Sequence, residues 1–238
     1  MKLLAFETAT EACSVALWLD GEVLERFAIA PRQHAELALP WADALLADAG
    51  IAKSQLDAIA VGRGPGAFTG VRLAIALAQG VALALDKPVV PISTLAVLAA
   101  SLPNPQLQCD EHILAAIDAR MDEIYLGAFV RNGDAVTALS SEAVTKPHQA
   151  IISEGIELWH GVGTGFAAAD GALHTHLQTR LASVDPTALP HAADLARLAA
   201  LAFARGEAVS PERAEPAYLR DNVALTLEQQ KALRTSRQ

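Results

Sequence analysis

Cysteine is nearly missing from this chain of 238 residues, which has two, Cys13 and Cys109. Two cysteines cannot form a disulfide framework, so a reducing compartment is expected. Aromatic residues make up only 5% of a chain that is 52% hydrophobic, so its core must be mostly Ala, Leu and Val. Basic residues are outnumbered, 18 against 27 acidic ones, for a net charge of -9. Unaided nucleic-acid binding needs many phosphate contacts from Lys and Arg. Any contact with nucleic acid is therefore expected only where a partner supplies the positive surface. Long apolar runs are missing too. Glu7 and Glu11 interrupt the opening MKLLAFETATEACSVAL before a signal-peptide core can form. The apolar run after Arg72 reaches about 13 residues before Asp86, against roughly 20 needed for a bilayer. The expectation is a soluble, cytoplasmic protein of one large or two small domains, with no membrane segment.

The usual catalytic signatures are also missing. Residues 62–80 read GRGPGAFTGVRLAIALAQG, but no lysine follows Gly70 as a P-loop requires, and Ala67 stands where a G-x-G-x-x-G fingerprint needs its last glycine. His34 opens a helix, but position 38 is Ala, so there is no H-x-x-x-H pair for a metal. No metal or cofactor is expected. Cys13 falls in a strand and Cys109 in a linker, and His112, His148, His160, His174, His176 and His191 have no nucleophile context, so no triad can be argued.

What is there reads as a repeated plan. KLLAF and CSVALWL are strands, Asp20-Gly21 is a hairpin turn, and EVLERFAI alternates as a half-exposed strand. Residues 33–49 switch to helical period and end at Gly50. LDAIAVG runs as a strand into the glycine loop, residues 70–85 are helix, and KPVVPIS is another strand. PNPQLQ (103–108) reads as a linker. A second β-rich start follows, with HILAAID, EIYLGAFV, an Asn-Gly turn at 132–133 and AVTALSSEAV. After it come a helix beginning at PHQAIIS, a strand at IELWHGVG (156–163) and an amphipathic helix at 193–206. The tail LTLEQQKALRTSRQ is polar. The fold class is α/β, built from duplicated β-hairpin plus α/β units. The expected division is 1–102 and 103–238, with the last segment able to return to the first lobe.

Two stretches suggest a phosphate cleft. In ETATEACS (7–14), a carboxylate ends a first strand and a hydroxyl-rich turn follows, which is how ATPases of the actin and sugar-kinase group grip phosphate and magnesium. Their Asp-x-Gly-Thr/Ser is altered here, with Glu7 for the aspartate and Ala9 for the glycine. The matching turn DARMDE (118–123) lacks both glycine and hydroxyl. The candidate cleft residues are Glu7, Thr8, Thr10, Gly64, Gly66, Asp118, Gly161 and Gly163, read as a nucleotide site whose chemistry has eroded. Thr69 is the candidate N-cap of the following helix. The bare amides there could hold an anion, but a turn kept open for close backbone packing is the preferred reading.

The two N-terminal-half helices carry a different signal. Helix 34–49 spreads Leu37, Ala38, Leu39, Trp41, Ala42, Leu45 and Leu46 over about 220°, where one sheet-facing stripe needs about 100°. In helix 70–85 only Arg72 and Gln79 are polar, and they lie nearly on one line. The surplus apolar surface demands a second cover, either another layer of the same chain or another protein. Small residues such as Ala76 and Gly80 permit a close approach, and the partner reading is preferred.

Taken together, AFETATEACSVAL, RQHAELALP, AVGRGPGAFTGVRLAIALAQGVAL, PISTLAVLA, AAIDARMDEIY and AEPAYLRDN resemble the TsaB (YeaZ) family, from about residue 2 to residue 222. The resemblance implies the two-lobed fold of the actin, Hsp70 and sugar-kinase (ASKHA) group. It also implies a non-catalytic dimerisation subunit of the bacterial machinery that makes threonylcarbamoyladenosine in tRNA. The partners it implies are the catalytic homologue TsaD, which carries the metal pair and the nucleotide site, and the small ATPase TsaE. It further implies a homodimer when alone, and contact with tRNA only through the complex. Mapped by position, the docking helices are 34–49 and 70–85, with His34, Leu37, Trp41, Leu45, Arg72, Ile75, Ala76, Gln79 and Leu83 as interface candidates. Glu7 departs from the Asp expected in close relatives. The competing readings are a small-molecule kinase or ATPase of the same fold group, and a peptidase, for which the residues offer no metal pair or activated nucleophile.

Overall fold

The computed structural model describes residues 1–102 and 110–220. The linker expected at 103–108, Cys109 and the polar tail beyond Arg220 lie outside the described residues. The first sheet is built from β1 (Lys2–Glu7), β2 (Ala12–Leu19), β3 (Glu22–Ile29), β4 (Ala58–Gly62) and β5 (Val89–Ile92), in the order β3-β2-β1-β4-β5. The hairpin strands pair antiparallel, and β1, β4 and β5 run parallel. Parallel neighbours need crossover helices, and these are α1 (His34–Asp48) before β4 and α2 (Phe68–Leu85) after it. A third helix, α3 (Thr94–Ala100), follows β5.

The second half repeats this arrangement. It comprises β6 (Glu111–Arg120), β7 (Glu123–Asn132), β8 (Ala135–Ala138), β9 (Ala143–Thr145), β10 (Trp159–Val162), α4 (Ala168–Leu177), β11 (Leu181–Asp185) and α5 (Ala192–Ala204). The second sheet runs β11-β10-β6-β7-β8, with β9 paired to β7. Read from the hairpin edge, the two orders are the same.

Period-two alternation sends β1 to two cores. Leu4 and Phe6 face α1 and α2, while Leu3 and Ala5 face α5. In the second sheet, Leu114 and Ala116 face α4, while Ile113 and Ala115 face α3. The last helix of each half therefore packs on the other half's sheet, and α3 and α5 touch each other. Residues 209–220 then run back along the first lobe. Val209 pairs with Val89, and Ala214 is buried against the α1–α2 core.

Local expectations fail at several places. The helix expected at PHQAIIS is a single turn, Pro147–Gln149. The strand expected at 156–163 is only Trp159–Val162, and AVTALSSEAV holds two short strands, β8 and β9. The helix expected from residue 70 begins at Phe68. Ala67 is its N-cap and there is no side-chain cap, so Thr69 lies inside the first turn. The full 18 residues of α2 are long and apolar enough, by length and composition alone, to cross a membrane. In the fold, its Val71, Ala74, Ala78 and Ala82 are buried in the subunit's own core.

Candidate functional site

The turn after β1 is closed by the glycine loop. Glu7 is 1% exposed, and its carboxylate accepts hydrogen bonds from Ala9 N at 2.8 Å and Thr94 Oγ1 at 3.0 Å. Burial pushes the carboxyl up to about 7, against the opposing pull of the Ala9 amide and the Thr94 hydroxyl. The loop glycines are spacers. A Cβ on Gly62 would sit 1.9 Å from Glu7 Oε2, one on Gly66 would sit 2.4 Å from Ala9 O, and one on Gly70 would sit 2.0 Å from Thr8 O. Several polar groups of the turn are already used within the chain. Thr8 Oγ1 donates to Gly70 O, Ala67 N donates to Ala9 O, and Gly64 N donates to Thr94 Oγ1. Thr10 is buried, and its carbonyl meets His34 Nε2 at 3.0 Å.

The equivalent turn in the second lobe holds Asp118, whose carboxylate accepts from both Arg120 N and Arg120 Nη1. Gly161 and Gly163 also serve packing: a Cβ on Gly161 would sit 2.6 Å from the Phe166 ring, and one on Gly163 would sit 2.3 Å from Ala116 O. Among the described residues, no three His, Cys, Asp or Glu side chains converge as a metal site. Cys13 is buried, and desolvation raises its thiol to about 11, which removes it as a nucleophile.

One polar cluster escaped sequence reasoning because its members are far apart in the chain. Glu25 on β3 accepts from Ser14 Oγ at 2.7 Å and from Ala193 N at 3.1 Å, and His191 Nδ1 lies 3.1 Å from it. Burial works to raise this carboxyl, but the bonds from His191, Ser14 and Ala193 outweigh it and hold the carboxyl below its ordinary range. The Glu25 bond in turn raises the His191 imidazole above its ordinary value. Ser14 and His191 both address the carboxylate rather than each other, and nucleophile activation requires a Ser–His contact. Ala192 N also donates to Ser14 Oγ, so the cluster fastens the N-terminus of α5 to the first sheet.

The other region is the outer face of α1 and α2. A groove of about 280 Å³ runs between them, lined mainly by Leu39, Ala76, Leu77, Gly80, Val81 and Ala84. Leu83 is 64% exposed, and Leu39 and Phe68 are exposed with it. The interface candidates divide according to where the helices turn them. Arg72, Ala76 and Leu83 are exposed, and His34, Leu37 and Trp41 are half-buried at the rim. Leu45 and Ile75 are a correction: they point at the sheet and belong to the subunit's own core. Gln79 is another, because its amide donates to Pro211 O and Ala214 O and so meets the returning chain. Part of α2's second cover is thus the same chain, on the polar line of the helix. None of the described residues covers the apolar line.

Residues 28–227 match the family model described as "TsaD: tRNA N6-adenosine threonylcarbamoyltransferase". Along nearly the whole length, the chain is 41% identical to the tRNA threonylcarbamoyladenosine biosynthesis protein TsaB of Escherichia coli K12, covering 94% of this chain and 96% of that protein. It is 38% identical to the TsaB of Haemophilus influenzae, covering 94% and 95%. The solved structure of YeaZ from Pseudomonas aeruginosa superimposes with a TM-score of 0.84 at 45% identity, covering 92% of this chain and 99% of that one. The repeated sheet order is that of the two-lobed ASKHA fold. With full-length identity to proteins of that name, and with its fold matched in a solved structure, the chain belongs to the TsaB (YeaZ) family.

Proposed function

We propose that this chain is a non-catalytic subunit in the synthesis of threonylcarbamoyladenosine on tRNA, the process named in its relatives' descriptions. In this reading it works by docking the catalytic homologue TsaD on the α1–α2 face. TsaE joins the assembly, tRNA is held mainly by the partners, and the isolated chain, in the cytoplasm, pairs with a second copy of itself. The observation that carries the reading is an apolar groove that no described residue covers, flanked by exposed Leu39 and Leu83. Its floor includes Gly80, where a Cβ would meet nothing within 4 Å of the chain's own atoms. Glycine within a helix costs about 1 kcal/mol relative to alanine, and among the described residues nothing requires it at position 80. A closely approaching partner helix would.

The turn at Glu7–Thr10 supports the absence of phosphate chemistry, since the Glu7 carboxyl and the Thr8 hydroxyl are bonded within the chain. The acidic net charge of -9 supports leaving tRNA to the partners. The test is co-purification with the TsaD of the same organism. Ala76→Arg puts a charge into the groove from an exposed position, and should abolish the complex while leaving the fold intact. Full complex formation by a folded Ala76→Arg protein would assign the docking face elsewhere.

A further inference from the structure

At the N-terminal end of the groove, Arg72 is held in an aromatic clamp. Its guanidinium carbon lies 3.2 Å from the Phe68 ring centroid and 5.0 Å from that of Tyr218. Both rings are more than half exposed. Phe68 and Arg72 are one turn apart on α2, whereas Tyr218 arrives from the returning segment. That segment is fixed on both sides of Tyr218. Ala217 N donates to Arg63 O at 2.8 Å, and Arg220 donates to Ala119 O and Glu123 in the second lobe. The neighbouring arginines have carboxylate partners: Arg63 pairs with Glu142, Arg120 with Asp118, and Arg220 with Glu123. Among the described residues, Arg72 has rings on its face and no carboxylate at its edge.

We propose that Arg72, clamped by Phe68 and Tyr218, is the electrostatic anchor of the docking face and receives a carboxylate side chain from the docked protein. This rests on the reading that the α1–α2 face is where the partner sits. Ala76, in the groove wall, is one turn beyond Arg72 on the same helix, so the clamp and the groove form one continuous surface. Stacking occupies the flat face of a guanidinium and leaves its in-plane N–H fork free for a bidentate acceptor. The clamp also limits the side-chain freedom that would otherwise be lost on binding. Arginine with tyrosine beside an apolar pocket is the composition that concentrates binding energy in protein interfaces. Nucleic acid fits less well. Phosphate backbones are held by several free cations at once, and Arg63, Arg120 and Arg220 already have carboxylate partners.

The experiment measures the affinity of the full chain for its TsaD partner at low and high salt. Arg72→Ala should weaken binding by about tenfold or more and flatten its salt dependence, with an unchanged melting temperature because the side chain is exposed. Arg72→Lys should fail to restore affinity, since an ammonium cannot present a fork. Tyr218→Phe should bind normally, while Tyr218→Ser should weaken binding. Arg72→Glu should be rescued by an acidic-to-lysine change at one position of the partner. If Ala76→Arg abolishes the complex while Arg72→Ala binds within about twofold of the parent, the groove reading stands and the anchor is overturned. If neither change affects binding, the groove reading itself fails, and the anchor with it. An Arg72→Ala protein that loses affinity for tRNA but not for TsaD would overturn the carboxylate and assign the clamp to phosphate.

Discussion

The two lobes have the same strand order and opposite outer faces. Between β3 and β4 the first lobe inserts the 15-residue α1, and after β4 it places the 18-residue α2. At the matching points the second lobe has a strand and a single turn at 147–149, then the 10-residue α4. The first lobe's outer layer is thus two long helices with a groove between them, while the second lobe's, among the described residues, is the short α4, broken by left-handed backbone at Ala169–Gly171 and carrying His174 and His176 beyond the break. The inner layer is conserved between the halves, with α3 and α5 each lying on the opposite sheet. The shared sheet order accounts for the fold. The docking proposed above rests on what was added outside that shared sheet in the first lobe.

The largest effect that would sharpen this contrast comes from two adjacent residues of α2. Ile75 is 5% exposed in the core, and Ala76 lies in the groove. Ile75→Arg buries an unpaired charge and should cost about 3–5 kcal/mol or more, seen as aggregation or a collapsed melting temperature. Ala76→Arg should melt like the parent and lose only its partner. Similar melting of the two proteins would place α2 rotated from the orientation described, and the contrast between sealed and open faces would collapse.

The next effects test the sealed turn of the first lobe. Gly70→Ala would drive a Cβ to 2.0 Å from Thr8 O, a backbone atom that cannot swing away. A loss of about 2–4 kcal/mol is expected in denaturant unfolding. In contrast, Gly133→Ala on the second lobe's hairpin meets no atom within 4 Å and costs only the strain of its positive φ. Glu7 adds a pH signature. Its folded value of about 7 lies above the ordinary 4.5, so the folded chain holds its proton more tightly than the unfolded chain does. Below pH 4.5 the residue is protonated in both states and the contribution is complete. As pH rises from 4.5 to 7 the unfolded chain ionises first, and about 3 kcal/mol of stability is lost, with no further change above. Glu7→Gln should remove that slope, and a slope unchanged in this variant would assign the titration to another group.

Much of this was legible in the sequence, because hydrophobic periodicity reports burial directly. The apolar surplus on α1 and α2 and the repeated hairpin-then-α/β order appear in the structure, whereas EVLERFAI alternates in burial only over Glu22–Glu25, with Leu24 and Ile29 exposed. What could not be read was direction. A surplus of apolar surface on a helix says that two covers are needed, but not that Ile75 faces the sheet and Ala76 the solvent. Gln79 looked like half of a polar line facing outward, but its partners are 132 and 135 residues away in the chain. The Glu25–Ser14–His191 cluster was invisible for the same reason. The glycine loop was ambiguous because a phosphate cradle and a close backbone crossing both require glycine. The contacts of Glu7, Thr8 and Ala9 with it, which account for its glycines by packing, come from the fold and not from the local sequence.

The smallest effect separates folding from docking at a single atom. Gly80 is exposed on α2, in ordinary helical conformation, with open space where a Cβ would go. Gly80→Ala should therefore stabilise the isolated protein by about 1 kcal/mol, raising its melting temperature by about 2–4 °C. The same methyl would stand on the floor of the groove, where the proposed docking brings a partner helix close, and affinity for TsaD should then fall although the subunit itself is firmer. Opposite signs in the two measurements would show that the first lobe's outer face keeps a local cost for the sake of contact. A gain in stability with undiminished affinity would move the helix contact away from Gly80, toward the end of α2 that carries Phe68 and Arg72.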